Sequence, residues 1–355
     1  MDNDNFPISG NELSSELIGL NKGSDTQKIK LIAAILGITI FLVVIIIIVI
    51  AITQKRDKKS EKNSPKEVLA RIYSIYDAQT TSLEVPLLSE EFDKKFDFDI
   101  LINNEKEKYS KKYKFSSMGY NIVTFEIYEK MNIDKMFKGV YDIVSVEMKS
   151  EKQCELTSMI SAFEKCERLA KFRITGFETS QLFSTKALFN GCISLADIDI
   201  TDLNTMNVKD MSYMFSGTII SEINLSLMDT SNVEDMSHMF QSCFYLPSLN
   251  LNRLNTEKVK DMSSMFSLCS SLVSLSISSL NTKSVTNMSK MFHECITLND
   301  LDVTNFDTSS VTSMSSMFES CQSISYLDLR KFNTKYVKDF SHMFSYCTTL
   351  NSVES

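Results

Sequence analysis

The chain has 355 residues with 37 Lys and Arg against 45 Asp and Glu, a formal net charge of −8 that excludes a general nucleic-acid binder working through a basic surface. Three His and no Trp leave little material for catalysis or for zinc. With 9 Gly and 4 Pro, turns must be built by Ser, Asn, Asp and Thr through side-chain-to-backbone bonds.

Residues 1–30 are polar and are expected to form a disordered N-terminal tail. Residues 31–53 are expected to form a transmembrane helix. Leu31 to Ile52 carries no charge, and at ~1.5 Å per residue it would extend ~33 Å, enough for the hydrocarbon core of a bilayer. Lys22, Lys28 and Lys30 precede it, while Lys55, Arg56, Lys58, Lys59, Lys62 and Lys66 follow. Counting basic residues therefore places the C-terminal side in the cytoplasm. Residues 54–90 read as a charged juxtamembrane linker followed by a helix from Pro65 to Gln79, with Val68, Leu69, Ile72, Ile75 and Tyr76 on one face. Residues 91–132 have strand character at Phe96–Ile100 and Ile122–Tyr128 and are expected to cap the array that follows.

From residue 133 to residue 355 a cassette recurs every 26 residues, giving about eight copies and a partial one. Self-similarity at such a period marks a solenoid. Ile133, Met136, Phe137 and Val140 begin a degenerate copy without cysteine, and later copies start near Met159, Thr185, Met211, Met236, Met262, Met288, Met314 and Phe340. The copy at Met211 is one residue short and has Thr218 in place of cysteine. The fold class expected is an α+β, leucine-rich-repeat-like solenoid with short strands and one short helical turn per copy, preceded by one transmembrane helix. Apolar residues three, six and eight positions after each cysteine supply the strand rhythm, and the Val sixteen positions after it a second extended segment. Ser at the second cassette position fits a helix N-cap, with the Met-Phe pair in the turn that follows. Stacked at ~4.8 Å, the copies would make a rod about 40 Å long.

Three sets of positions stand out. Cys166, Cys192, Cys243, Cys269, Cys295, Cys321 and Cys347 form one column, read as a small buried hydrophobe repeated in register. Parallel Cβ vectors near 5 Å do not suit disulfides, and Cys154 stands off the column. Thr179, Thr205, Thr230, Thr256, Thr282, Thr308 and Thr334 form a second column, read as turn residues bonding the backbone, with a flat threonine array for ice or crystal binding as the alternative. The candidate binding face is the set that varies beside the strand, including Asp197, Asp199, Asn250, Ser276, Asp300, Asp302, Tyr326 and Asp328, which is mildly acidic. Lys209, Lys258, Lys260, Lys283, Lys335 and Lys338 make the side beside the Val mildly basic. No Ser/His/Asp set, Gly-rich phosphate loop or metal-ligand cluster is visible, so no enzyme activity, cofactor or metal is expected.

The stretch Asn281-Thr282-Lys283-Ser284-Val285-Thr286-Asn287-Met288-Ser289-Lys290-Met291-Phe292-His293-Glu294-Cys295 resembles the repeat unit of the BspA-like leucine-rich repeat family of microbial surface proteins. The resemblance covers residues 133–355 and implies a solenoid displayed at the cell surface for adhesion, with no catalytic residues. The partners expected are a membrane, through the single span 31–53, and an unknown protein or glycan, with no nucleic acid. The alternative is a membrane-tethered cytoplasmic interaction scaffold, which the basic residues after the span favour. Two glycosylation sequons, at Asn224 and Asn287, would matter only outside.

Overall fold

The structure is a computed structural model that describes residues 66–354. Apart from Lys66, these belong to the second of two compact units, Glu67–Ser355. The expected tail 1–30 and transmembrane helix 31–53 lie outside the described residues. Among the described residues no helix is long and apolar enough to cross a membrane, and every regular element is a β-strand.

The helix expected from Pro65 to Gln79 is instead strand β1, Ala70–Ala78. Ala70, Ile72, Ser74, Tyr76 and Ala78 are buried in strict alternation. Ile72 and Tyr76, four apart, fit both periods; the β-branched and aromatic content of Ile72-Tyr73-Ser74-Ile75-Tyr76 and partners on both edges decide for the strand. β1 pairs antiparallel with β6 (Gly119–Ile127) on one side and β7 (Ile143–Ser150) on the other. Beyond β6 lie β3 (Phe98–Ile102) and β4 (Glu105–Glu107), and beyond β7 the parallel strands β8 (Lys171–Thr175) and β9 (Asp197–Asp199) complete a seven-stranded sheet. The cap therefore includes β1, N-terminal to the expected 91–132, and it saturates the first edge of the array with an antiparallel strand. The two strands foreseen at 96–100 and 122–128 correspond to β3 and β6, and the short strands β2 (Val85–Pro86) and β5 (Lys112–Tyr113) pair antiparallel with each other.

Each copy then forms one rung of a β-solenoid. The phenylalanines stack face to face from Phe137 through Phe163, Phe189, Phe215, Phe240, Phe266, Phe292 and Phe318 to Phe344, with neighbouring centroids 5.2–6.2 Å apart. Phe125 of β6 meets Phe137 edge-on at 5.5 Å and closes the stack at the cap. Leu, Val, Met and Cys of each interior copy are buried against the copies above and below, so burial is shared between neighbours and no rung encloses a core alone.

The short helical turn expected around Met-Phe is absent. In the copy at Met262, Ser264 and Leu268 have φ of 53° and 64°, and the equivalent pair is left-handed in the other copies. That alternation turns successive N–H groups in opposite senses. Met265, Ser267 and Cys269 donate to the carbonyl three residues back, while Met262, Ser264, Phe266 and Leu268 donate to Asn287, Ser289, Met291 and His293 of the next rung. A helix would have directed its N–H groups beyond the first turn to carbonyls of its own copy. The residue that opens this segment is not the foreseen Ser but the Asp or Asn two before it: Asp210, Asp235, Asp261, Asn287 and Asp339 each accept the N–H two residues on, at 2.7–3.1 Å. The second extended segment reduces to single bridges between these same residues.

Candidate binding face

The cysteine column is buried from Cys166 to Cys321, with Cys347 half-buried. It is more than a hydrophobic filler. Each Sγ donates to the carbonyl of the phenylalanine one rung earlier, at 2.9–3.3 Å, as in Cys269 to Phe240 and Cys295 to Phe266. Burial pushes the thiols up, those of Cys243 and Cys295 to about 12. The column is thus protonated and a poor source of thiolate nucleophiles or metal ligands. Cys154, also buried, donates to the Glu129 carbonyl at 3.3 Å, and burial raises its pKa to about 11. Where Thr218 replaces cysteine, its hydroxyl donates to Phe215 of its own copy at 2.8 Å. All eight cysteines are free thiols.

The threonine column is buried from Thr179 to Thr308 and exposed only at Thr334. It therefore presents no flat outer array to ice or a crystal. Thr256 Oγ1 donates to the Asn281 carbonyl at 2.9 Å and accepts the Asn281 N–H at 2.8 Å, so one hydroxyl satisfies both main-chain groups of one residue in the next rung. Thr282 does the same for Asp307, and Thr308 for Asn333. Asn204, Asp229, Asn255, Asn281, Asp307 and Asn333 in turn accept the N–H two residues on. Turns made by side-chain-to-backbone bonds, expected from scarce Gly and Pro, thus recur in six successive copies.

On the strand side the candidate residues divide. Asp199, Asn250, Asp302 and Asp328 hold a third turn, each accepting the N–H two residues on. Hydrogen bonds from Thr201 and Thr304 hold Asp199 and Asp302 below the usual carboxylate range. The Arg330 side chain, at 2.7 and 3.0 Å, brings Asp328 down to about 2. Asp197 pairs with Lys171 at 2.9 Å. Asp300, Ser276 and Tyr326 point outward with no turn to hold, Ser276 half-buried and Tyr326 47% exposed. On the basic side, Lys260 pairs with Glu234 and Lys258 with Asn232 of the preceding rung.

The strand ladder is not continuous. It runs to β9, resumes as the pair β10 (Ser248–Asn250) and β11 (Ser274–Ser276), and resumes again as β12 (Tyr326–Asp328) and β13 (Ser352–Glu354). At the second interruption Asp300 still bridges to Ser274. The first lies in the short copy. Leu272 lies three positions after Cys269, but Ile220 lies only two positions after Thr218. The segment Glu222–Asn224, which stands where the strand belongs, makes no main-chain hydrogen bond among the described residues. It is flanked by a cleft of about 580 Å³ against Ala196–Ile198. On its other side a cleft of about 350 Å³ lies against Ser248–Asn250, Arg253 and Leu254. Sequence reasoning saw the missing residue at this copy but left Glu222, Asn224 and Arg253 out of the candidate face; their signal was that deletion. Among the described residues no group of His, Cys, Asp and Glu is arranged to hold a metal ion.

A family model described as "Mycoplasma protein of unknown function, DUF285" matches residues 157–276 and 269–355. Among solved structures, a leucine rich cell surface protein from Faecalibacterium prausnitzii A2-165 is similar at 13% identity, over 65% of this chain and 83% of that one, with a TM-score of 0.25. No curated protein matches.

Proposed function

The chain belongs to the DUF285 family, and from that premise we propose that its solenoid is a non-catalytic binding module, anchored by residues 31–53 and displayed at the cell surface to contact proteins or glycans. The observation that carries this reading is the division of labour within each rung. The Phe, Cys and Thr columns are occupied by bonds to neighbouring copies, whereas at one position beside the strand the side chain changes from copy to copy, as in Asp197, Asp300 and Tyr326, and is exposed. Residues that differ where the scaffold does not need them are the ones free to meet a partner. The repeat's resemblance to the BspA-like surface proteins and the uncharged run from Leu31 to Ile52 support outward display.

Protease treatment of intact cells tests it: degradation of the repeat domain without lysis is the expected result. A repeat domain protected until lysis removes the surface reading. It would leave the solenoid as a membrane-tethered cytoplasmic scaffold, which the Lys and Arg residues at 55–66 favour.

A further inference from the structure

We propose that the interruption at Glu222–Asn224 is a docking site for an extended segment of a partner protein, held through its main chain and through a basic side chain beside Glu222. The inference deepens the reading of the solenoid as a binding module and rests on it. Three observations carry it. First, the interruption is local. In the same copy Phe215 stacks on Phe189 and Phe240, and Thr230 donates to Asn255 at 2.9 Å, so the ring stack and the threonine turn pass through the copy while its strand does not. Second, the edges of β9 and β10 that face the short copy have no strand partner, and the segment between them makes no main-chain bond. Exposed, unpaired N–H and C=O groups in a sheet are the template on which an extended peptide adds.

Third, the surroundings suit a protein segment. No lining residue of either cleft is aromatic, so there is no ring face on which a sugar could lie. Glu222 lines both clefts and makes no hydrogen bond or ion pair among the described residues. The first cleft contains no cationic side chain, so a carboxylate without a counter-ion faces whatever enters it.

The test uses the full chain in detergent micelles, a phage-displayed library of random peptides, and two variants. One inserts a serine between Thr218 and Ile219, restoring the regular spacing; the other is Glu222→Lys at an exposed position. Selected peptides are expected to carry Lys or Arg, to slow amide exchange at Glu222–Asn224, and to bind both variants at least about tenfold more weakly. Three outcomes overturn the proposal. Peptides that bind the insertion variant as well as the native chain would move the site elsewhere while leaving the binding module standing. Immobilised glycans that bind the native chain and not the insertion variant would assign the cleft to sugars. Failure to select any peptide, with surface display already shown by protease treatment, would remove the docking site and not the location.

Discussion

The two sides of each rung are built to different standards. On the Met-Phe and threonine side, bonding repeats from copy to copy: rings stack, thiols donate to carbonyls, and one hydroxyl closes on both main-chain groups of the residue below. On the strand side the same rungs form a sheet that breaks twice. Register is therefore kept by the side-chain columns together with the main-chain bonds of the Met-Phe segment, and the strand ladder usually credited with holding a solenoid together is here the part that tolerates loss. A deletion that would slip every side chain of an ordinary sheet is absorbed within Thr218–Asn224.

The largest effect that could break this contrast is alkaline. Burial raises the Cys295 thiol from 9.0 to about 12 in the folded chain. A raised pKa means stability that is complete below pH 9 and is lost as pH rises toward 12, because the unfolded chain gives up the proton first. At about 1.4 kcal/mol per unit this one thiol contributes on the order of 4 kcal/mol across that window. Denaturant midpoints should be level between pH 7 and pH 9 and fall steeply above it, less so in Cys295→Ala; a level profile to pH 11 would remove the thiol column from the stabilising side.

Phe266→Ala opens a hole between Phe240 and Phe292 and should cost about 3–5 kcal/mol in urea unfolding. An effect below 1 kcal/mol would mean the ring stack is ornamental. Thr256→Val keeps the shape of the side chain and leaves the Asn281 N–H and C=O unpaired, so about 2 kcal/mol is expected, with Thr256→Ser close to native. Equal losses in the two variants would assign the threonine column to packing. The smallest change runs the other way. Ser320 sits at φ 61°, a conformation its counterparts Gly139, Gly191 and Gly217 in earlier copies adopt without a Cβ, and Ser320→Gly should raise stability by about 1 kcal/mol. A lower unfolding temperature for that variant would contradict it.

The period of 26 residues made the solenoid, its columns and the short copy legible in the sequence alone. The helical turn misled because apolar residues three and four positions on from the first, as in Met262, Met265 and Phe266, suit successive i-to-i+3 turns as well as a helix; only the left-handed Ser264 and Leu268 distinguish them. β1 was misread because Ile72 and Tyr76 lie four apart and the strands that flank them come from distant sequence. The column of cysteines read correctly as buried, but the donor role of its sulfur depends on a carbonyl 29 residues away. At the candidate face, Asp199, Asp302 and Asp328 looked like recognition residues, yet each is followed two positions on by the N–H it accepts. That motif was present in the sequence and could have been separated from Asp300 and Tyr326.

Because Met262, Ser264, Phe266 and Leu268 hand their amide protons to whichever copy comes next, and that copy offers the same acceptors in the same order, a whole unit could be gained or lost without redesigning its neighbours. Reach is then adjustable in fixed increments, and a lineage could lengthen or shorten the protein by duplicating or excising a stretch of coding sequence, leaving both seams chemically identical to those already there.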